Sequence, residues 1–176
     1  MNTHQDVEDL QQAIEAGRPV REHGPYRIQI GDELLMNYHP AIVTEAAPTG
    51  RQILEAAGVA PAEEYGLFQV LRNGQIEGIR LDEATDLRAG GSDKFLVFHS
   101  DRSFRLELDG TVFEWGTGRI QGRVLKLLAK VDLVTYGVWM EVPGKDDLAI
   151  GDSQFADLDG AGVERFFTGI VKTTEG

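Results

Sequence analysis

"ILEAAG" at residues 53–58 and "YGLFQV" at residues 65–70 decide the fold, because both recur 71 residues later, as "VLKLLA" (residues 124–129) and "YGVWME" (residues 136–141). The same offset, without a gap, also matches Asp86 with Asp157, Leu87 with Leu158, Gly91 with Gly162, Lys94 with Arg165 and Phe95 with Phe166. Chance similarity rarely keeps one register over more than forty positions. The chain is therefore predicted to contain two copies of one domain.

Upstream of this match, "YRIQIGDELL" from Tyr26 resembles "FRLELDGTVF" from Phe104 at an offset of 78, so the first copy has seven additional residues near "NYHPAIV". The predicted domains are residues 25–101 and 102–171, followed by a free C-terminal tail, residues 172–176. Residues 1–24 contain a possible short helix, "VEDLQQAIEAG", between polar flanks, and we expect a mobile N-terminal tail there.

Each copy opens with a predicted strand, because apolar residues alternate with polar ones in "YRIQI" and "FRLEL". The dipeptide Asp109-Gly110 between such runs is a strong hairpin signal. Thr49, three residues before Gln52, forms a capping-box pattern that predicts a short amphipathic helix. In the second copy Ile120 occupies the expected capping position and caps nothing.

After the helix we expect a strand at "YGLFQV" or "YGVWMEV", a turn, a weaker strand, and a last strand at "KFLVF" or "RFFTGIV". The order predicted for each copy is ββαββ. A hairpin, a crossing helix and further strands in about 75 residues are typical of the β-grasp, or ubiquitin-like, fold. The predicted fold class is α+β, with two tandem β-grasp domains.

Charge and composition exclude several classes of function. The formal net charge is −12, and acidic residues are spread along the chain, so a nucleic-acid partner is not expected. No apolar run reaches the roughly 20 residues of a membrane span, and the acidic N-terminus does not resemble a signal peptide. The expected location is cytoplasmic. Because cysteine is absent, the chain cannot form disulfides, a thiolate zinc site or a catalytic thiol.

No pattern indicates an enzyme or a metal site. "GTGRIQG" (residues 116–122) has the wrong glycine spacing for a dinucleotide loop and is interpreted as a connector. The four histidines are scattered, and "DLDGAG" (residues 157–162) lacks the downstream glutamate of a calcium loop. Gly90-Gly91 aligns with Ala161-Gly162, before the last strand, so we interpret it as a turn and not as a conjugation site.

Trp139 occupies the strand position that Phe68 has in the first copy. Strands with one buried face usually bury their large residues, which favours a structural role. If Trp139 faces solvent, it becomes a candidate for binding a partner.

Taken together, "YRIQI", the helix start "TGRQIL", the strand "YGLF" and the ending "DL...GG..KF" resemble the bacterial multiubiquitin family. Its members are tandem ubiquitin-like modifiers encoded in antiphage operons, beside ubiquitin-type activating and conjugating enzymes and a deubiquitinase-like metallopeptidase. The resemblance implies a protein modifier that is not itself an enzyme. It also implies that an activating enzyme adenylates the C-terminal glycine with ATP, and that the glycine then passes as a thioester to a conjugating enzyme and onto a target protein.

The resemblance assigns the conjugation site to Gly176, and Lys172, Thr173, Thr174 and Glu175 to a tail that threads into partner enzymes. Glycine lacks a side chain that would clash in a narrow enzyme channel. The usual second glycine is replaced by Glu175. Two alternatives stay open: a non-conjugated tandem scaffold that binds partners through its sheets, and a sulfur carrier, which shares the fold but usually has one domain ending in Gly-Gly.

Overall fold

The computed structural model describes residues 6–171. These residues divide into two compact units between Asp101 and Arg102. In both units a mixed β-sheet packs one face against an α-helix.

The first unit has a sheet in which the central strands lie far apart in sequence. Its elements are β1 (Glu8–Asp9), α1 (Leu10–Ala16), β2 (Tyr26–Gly31), β3 (His39–Val43), α2 (Gly50–Ala56), β4 (Gly66–Val70), β5 (Ile76–Ile79) and β6 (Lys94–Phe98), with 3-10 turns at Ala62–Glu64 and Leu87–Ala89. The strand order is β1-β2-β6-β4-β5, and β3 also pairs with β2. Strands β2 and β6 run parallel, whereas the hairpins β2–β3 and β4–β5 are antiparallel.

The second unit repeats this arrangement with shorter connections. Its elements are β7 (Phe104–Leu108), β8 (Thr111–Trp115), β9 (Arg119–Gln121), α3 (Gly122–Ala129), β10 (Tyr136–Met140), β11 (Leu148–Ile150), β12 (Phe155–Asp157) and β13 (Glu164–Ile170). The main sheet has the order β11-β10-β13-β7-β8, with β13 parallel to β7. Strands β9 and β12 form a small antiparallel pair of their own.

The α+β class of each unit is confirmed, but the predicted ββαββ order is one strand short. Apart from the short strands β1, β9 and β12, two strands precede the crossing helix in each unit and three strands of the main sheet follow it. The segment predicted as a weaker strand forms a full antiparallel ladder, β5 on β4 and β11 on β10. These ladders form because a tight turn, with Gly74 or Gly144 at positive φ, returns the chain alongside the preceding strand.

The core of each unit lies between the helix and one face of the sheet, as the alternation of apolar residues predicts. In the first unit Tyr26 and Ile28 of β2 face Ile53 and Leu54 of α2, and all four side chains are fully buried. In the second unit Leu106, Leu108, Val124 and Leu125 are likewise fully or almost fully buried. The duplicated pattern therefore encodes the core.

The helices begin one residue away from the predicted register, although the buried residues Ile53 and Leu54 still correspond to Val124 and Leu125 at the offset of 71. Helix α2 begins at Gly50 and α3 begins at Gly122, which is an offset of 72. Gln121, not Ile120, is the residue at the N-cap of α3, and its side chain makes no capping hydrogen bond. Ile120 lies in β9 and is buried.

Close backbone contacts explain the register of the helices. A Cβ added at Gly50 would overlap the carbonyl oxygen of Arg80, and one at Gly122 would overlap that of Gly151. Only glycine fits at the first helical position in either unit. The dipeptide Gly-Arg, at residues 50–51 and again at residues 122–123, is the sequence signal for this match.

Residues 8–24 differ from the mobile tail that we expected. Leu10 and Ala13 of α1 are fully buried, and β1 pairs with the start of β2. Helix α1 has the caps that the sequence offers, since the Asp9 carboxylate accepts a hydrogen bond from the Gln12 N–H and Gly17 has a left-handed conformation. The segment is therefore part of the first unit, and the expectation of a mobile tail is wrong for these residues. Residues 1–5 lie outside the described part.

An ion pair with a buried carboxylate joins the start of this segment, Glu8, to Arg18. The Glu8 carboxylate is almost fully buried and lies 2.6 Å from the Arg18 guanidinium. It also accepts a hydrogen bond of 2.9 Å from the backbone N–H of Arg21. The hydrogen bond from Arg18 lowers the pKa of Glu8 to about 2, with the Arg21 N–H acting in the same direction and burial opposing both.

The interpretation of Gly90-Gly91 as a turn is confirmed. Gly90 ends a 3-10 turn with a φ of +68°, and β6 begins a few residues later at Lys94. The hairpin predicted at Asp109-Gly110 also forms, with positive φ at both residues. No helix within residues 6–171 is long and apolar enough to cross a membrane.

Candidate functional site

The C-terminal end of the second unit is the described part of the candidate site. The predicted conjugation residue Gly176 and the tail residues Lys172, Thr173, Thr174 and Glu175 lie outside the described residues. The chain reaches them from β13 through Val171. Strand β13 pairs with β7 over residues 164–166 and with β10 over residues 166–170, so the end that leads to the tail is held along the β10 side.

Hydrogen bonds hold Val171 at the end of β13. Its N–H donates to the carbonyl oxygen of Thr135 over 2.8 Å. Thr135 is itself oriented by Asp132, whose carboxylate accepts its N–H at 2.8 Å and its hydroxyl at 3.0 Å. The backbone N–H groups of Thr135 and Val134 and the Thr135 hydroxyl lower the pKa of Asp132, so the carboxylate stays ionised.

The β7–β8 turn holds the middle of β13. The Asp109 carboxylate accepts the N–H of Thr168 at 2.8 Å and its hydroxyl at 2.7 Å. The N–H of Asp109 donates to the carbonyl oxygen of Phe166 over 3.0 Å. The conformation of the last strand therefore depends on a turn that lies almost sixty residues earlier in the sequence.

Trp139 lies on the face of the sheet opposite α3, because its neighbour Val138 points into the core. Its ring stacks on that of Phe167, with 5.6 Å between the ring centroids and 14° between the planes. The indole lies close above two glycines, since a Cβ at Gly137 would be 3.0 Å from the ring and a Cβ at Gly169 would be 3.2 Å from it. Both aromatic side chains are half-buried, so part of each ring faces solvent.

This aromatic surface extends to the start of the tail. A Cβ at Gly137 would lie 2.9 Å from Cγ1 of Val171, which places the valine beside the Trp139 ring. We use the term aromatic surface for Trp139, Phe167 and Val171. Partly exposed aromatic residues with a rigid support are typical of protein–protein contacts. The arrangement could bind a partner that also holds the tail.

The first unit differs at the equivalent positions. Phe68, Leu96 and Phe98 are buried, and the two phenylalanine rings meet edge to face with 5.4 Å between their centroids. Residues 99–103 then connect β6 directly to β7. The end of the first unit is therefore internal to the chain.

Sequence reasoning identified Trp139 but missed Phe167, Val171 and the two glycines below the indole. The missed signal was the spacing in "YGVW" and "FFTG", where a glycine lies two residues from an aromatic residue and hence on the same face of its strand. No group of three or more His, Asp or Glu residues that could bind a metal ion occurs within residues 6–171.

Comparison with known proteins supports the internal repeat. The model of the multiubiquitin family matches residues 33–100 and, a second time, residues 104–169. No curated protein matches the chain. The two matched ranges cover more than half of the chain and fall on the two units. The chain therefore belongs to the multiubiquitin family.

Proposed function

We propose that this protein is a ubiquitin-like modifier that is joined to target proteins through the carboxylate of Gly176. The proposal requires this carboxylate to be free, either at the end of the translation product or after cleavage by a metallopeptidase of the deubiquitinase type. The modifier itself catalyses no step, and its reactions take place in the cytoplasm.

Three transfers of the glycyl group make up the proposed reaction. The Gly176 carboxylate attacks the α-phosphate of ATP on an activating enzyme, and pyrophosphate leaves. A cysteine thiolate attacks the acyl adenylate, AMP leaves, and the resulting thioester is exchanged onto the cysteine of a conjugating enzyme. An amine of the target protein then attacks the thioester, which releases the thiol and forms an amide or isopeptide bond.

The path of the chain is the observation that supports this function best. In the first unit the residues after the last strand lead straight into β7, so that end cannot be conjugated. In the second unit β13 leads through Val171 toward residues 172–176. Lys172, Thr173, Thr174 and Glu175 would enter the partner enzymes in an extended conformation, with Gly176 at the reacting centre.

The aromatic surface supplies a contact that could hold the partner enzyme beside the tail. Trp139 and Phe167 offer stacked rings, and Val171 joins them to the tail. We propose that the activating enzyme contacts this surface while it holds the tail. The tail and the surface would then be bound together, and removal of either should weaken the same reaction.

The test is a conjugation assay with the activating and conjugating enzymes encoded beside this protein. The purified chain is incubated with both enzymes and ATP, and adducts are separated on gels with and without a thiol reductant. Wild type should form an adduct that the reductant removes, whereas a chain without Gly176 should form none. Trp139→Ala should form the adduct more slowly.

Gly91→Ala is the matched control, because nothing lies within 4 Å of a Cβ at this internal glycine. It should behave as wild type. The modifier hypothesis fails if wild type forms no adduct, or if removal of Gly176 leaves the adduct unchanged. The remaining functions would then be a tandem scaffold or, if sulfur transfer to Gly176 is detected by mass spectrometry, a sulfur carrier.

A further inference from the structure

The two units differ in what lies along the start of their first strand. In the first unit β1 adds a parallel strand there, with Glu8 opposite Tyr26 and Asp9 opposite Arg27. The N–H of Glu8 donates to the carbonyl oxygen of Pro25 over 2.9 Å. The last strand, β6, pairs with β2 only from Gln29 onward, so β1 fills a gap in the sheet.

The second unit has the same gap, and no strand of the described residues, 6–171, fills it. Phe104 and Arg105 correspond to Tyr26 and Arg27 at the offset of 78. Pairing between β13 and β7 begins at Leu106, so within residues 6–171 no strand pairs with Phe104 or Arg105 on that side. We use the term open edge for Phe104, Arg105 and the adjoining Val163.

Side chains at the open edge are complementary to an acidic, partly apolar segment. In the first unit the Arg27 guanidinium lies 3.3 Å from the Asp9 carboxylate. Arg105 stands at the position of Arg27 and is exposed. Val163, directly before β13, is 51% exposed, so an apolar side chain of a partner could contact it.

The direction of the added strand explains how Arg105 and Val163 would both contact the partner. Strand β1 runs parallel to β2, and Leu10, which follows it, is fully buried. A strand that ran the same way along β7 would carry its next residue toward the start of β13, where Val163 lies. An acidic residue opposite Arg105 and an apolar residue after it would therefore match the open edge.

We propose that the open edge binds an extended acidic segment of a partner protein, which adds a parallel strand to β7. Residues 8–10 of this chain, Glu-Asp-Leu, show the type of sequence that fits: a carboxylate for the arginine, followed by a leucine. Main-chain hydrogen bonds give such strand addition its affinity, and side chains give its specificity. The proposal does not depend on conjugation through Gly176.

The experiment uses a fluorescein-labelled peptide with the sequence of residues 6–16, "DVEDLQQAIEA", and the full chain. Fluorescence anisotropy measures binding to wild type, to Arg105→Glu and to the matched charge control Arg80→Glu, whose side chain is 82% exposed in the first unit. We expect Arg105→Glu to bind at least tenfold more weakly than wild type, and Arg80→Glu to bind as wild type does. A peptide in which lysine replaces the residue corresponding to Asp9 should bind Arg105→Glu better than it binds wild type.

Amide chemical shifts of the isotope-labelled full chain locate the peptide. Shifts confined to residues 104–106 and 163 support the proposal. It is overturned if the peptide does not bind, if both charge variants lose binding equally, or if the shifts fall on residues 26–28, where the peptide would be displacing the chain's own segment. It is also overturned if sedimentation shows wild type, but not Arg105→Glu, associating with itself, because the occupant would then be a second copy.

Discussion

In the first unit the edge of Tyr26 is covered by residues 8–16 and Phe68 is buried, whereas in the second unit Phe104 and Trp139 are only half-buried. The helix residues Ile53 and Leu54 and their counterparts Val124 and Leu125 are fully buried in both units. Duplication has therefore kept the core and changed the surfaces. The proposed functions of the second unit both use surfaces that are covered in the first.

The first hairpins of the two units also differ, in the length of the connection between their strands. Residues 32–38 connect β2 to β3, whereas Asp109 and Gly110 alone connect β7 to β8. The long loop packs the Tyr38 ring onto Gly31 of its own strand. The short turn instead uses Asp109 to hold Thr168 of the last strand. The shorter connection thus stabilises the strand that leads to the tail.

The strongest test of the comparison replaces equivalent aromatic residues. Phe68→Ala should lower the free energy of unfolding by about 4 kcal/mol, because it leaves a cavity beside Phe98. Trp139→Ala should cost about 1 kcal/mol, since part of the ring already faces solvent. Urea denaturation of the two variants measures both changes, and equal losses would show that the two surfaces are not different.

Leu10→Ala tests whether the N-terminal segment belongs to the first unit. The fully buried leucine should contribute about 3 kcal/mol to the free energy of unfolding. Gln12→Ala on the exposed side of the same helix is the control and should cost less than about 0.5 kcal/mol. Hydrogen exchange at residues 26–28 should accelerate in Leu10→Ala only, whereas a mobile tail would leave both variants like wild type.

Acid should weaken the first unit through Glu8. The pKa of this carboxyl is lowered from 4.5 to about 2 in the folded chain, so its stabilising effect is complete above pH 4.5 and is lost as the pH falls toward 2. The loss should amount to about 3 kcal/mol. Unfolding monitored between pH 6 and 2 should show this dependence in wild type and a weaker one in Glu8→Gln.

The glycines that begin α2 and α3 should respond alike, which makes them a test of what the units share. Gly50→Ala and Gly122→Ala should each cost about 2 kcal/mol, because a Cβ would meet a backbone carbonyl. Gly91→Ala meets nothing within 4 Å and serves as the control. If either helix variant is as stable as the control in urea, the close contact is relieved by a shift of the backbone.

The alternation in "YRIQI" and "FRLEL" predicted strands with one buried face, and these strands form as expected. Only the start of α3 was predicted one residue away, because Ile120 was assigned to the capping position that Gln121 occupies. The start of α2 was predicted by the Thr49–Gln52 capping box, which forms as expected, but the contact of Gly50 with the distant Arg80 carbonyl was not predicted. A contact between residues 30 positions apart cannot be read from local periodicity.

By itself, the sequence determined the duplication, the α+β class, the strands with one buried face, and the turn at Gly90-Gly91. Those features depend on local patterns and on comparison of the chain with itself. The tertiary structure alone decided that residues 8–16 pack on the first unit and that Trp139 lies with Phe167 and Val171. It also decided that, within residues 6–171, Phe104 and Arg105 pair with β8 but with no strand on their other side. The exposure of a side chain or strand edge depends on which distant segments pack against it, and local sequence does not encode those contacts.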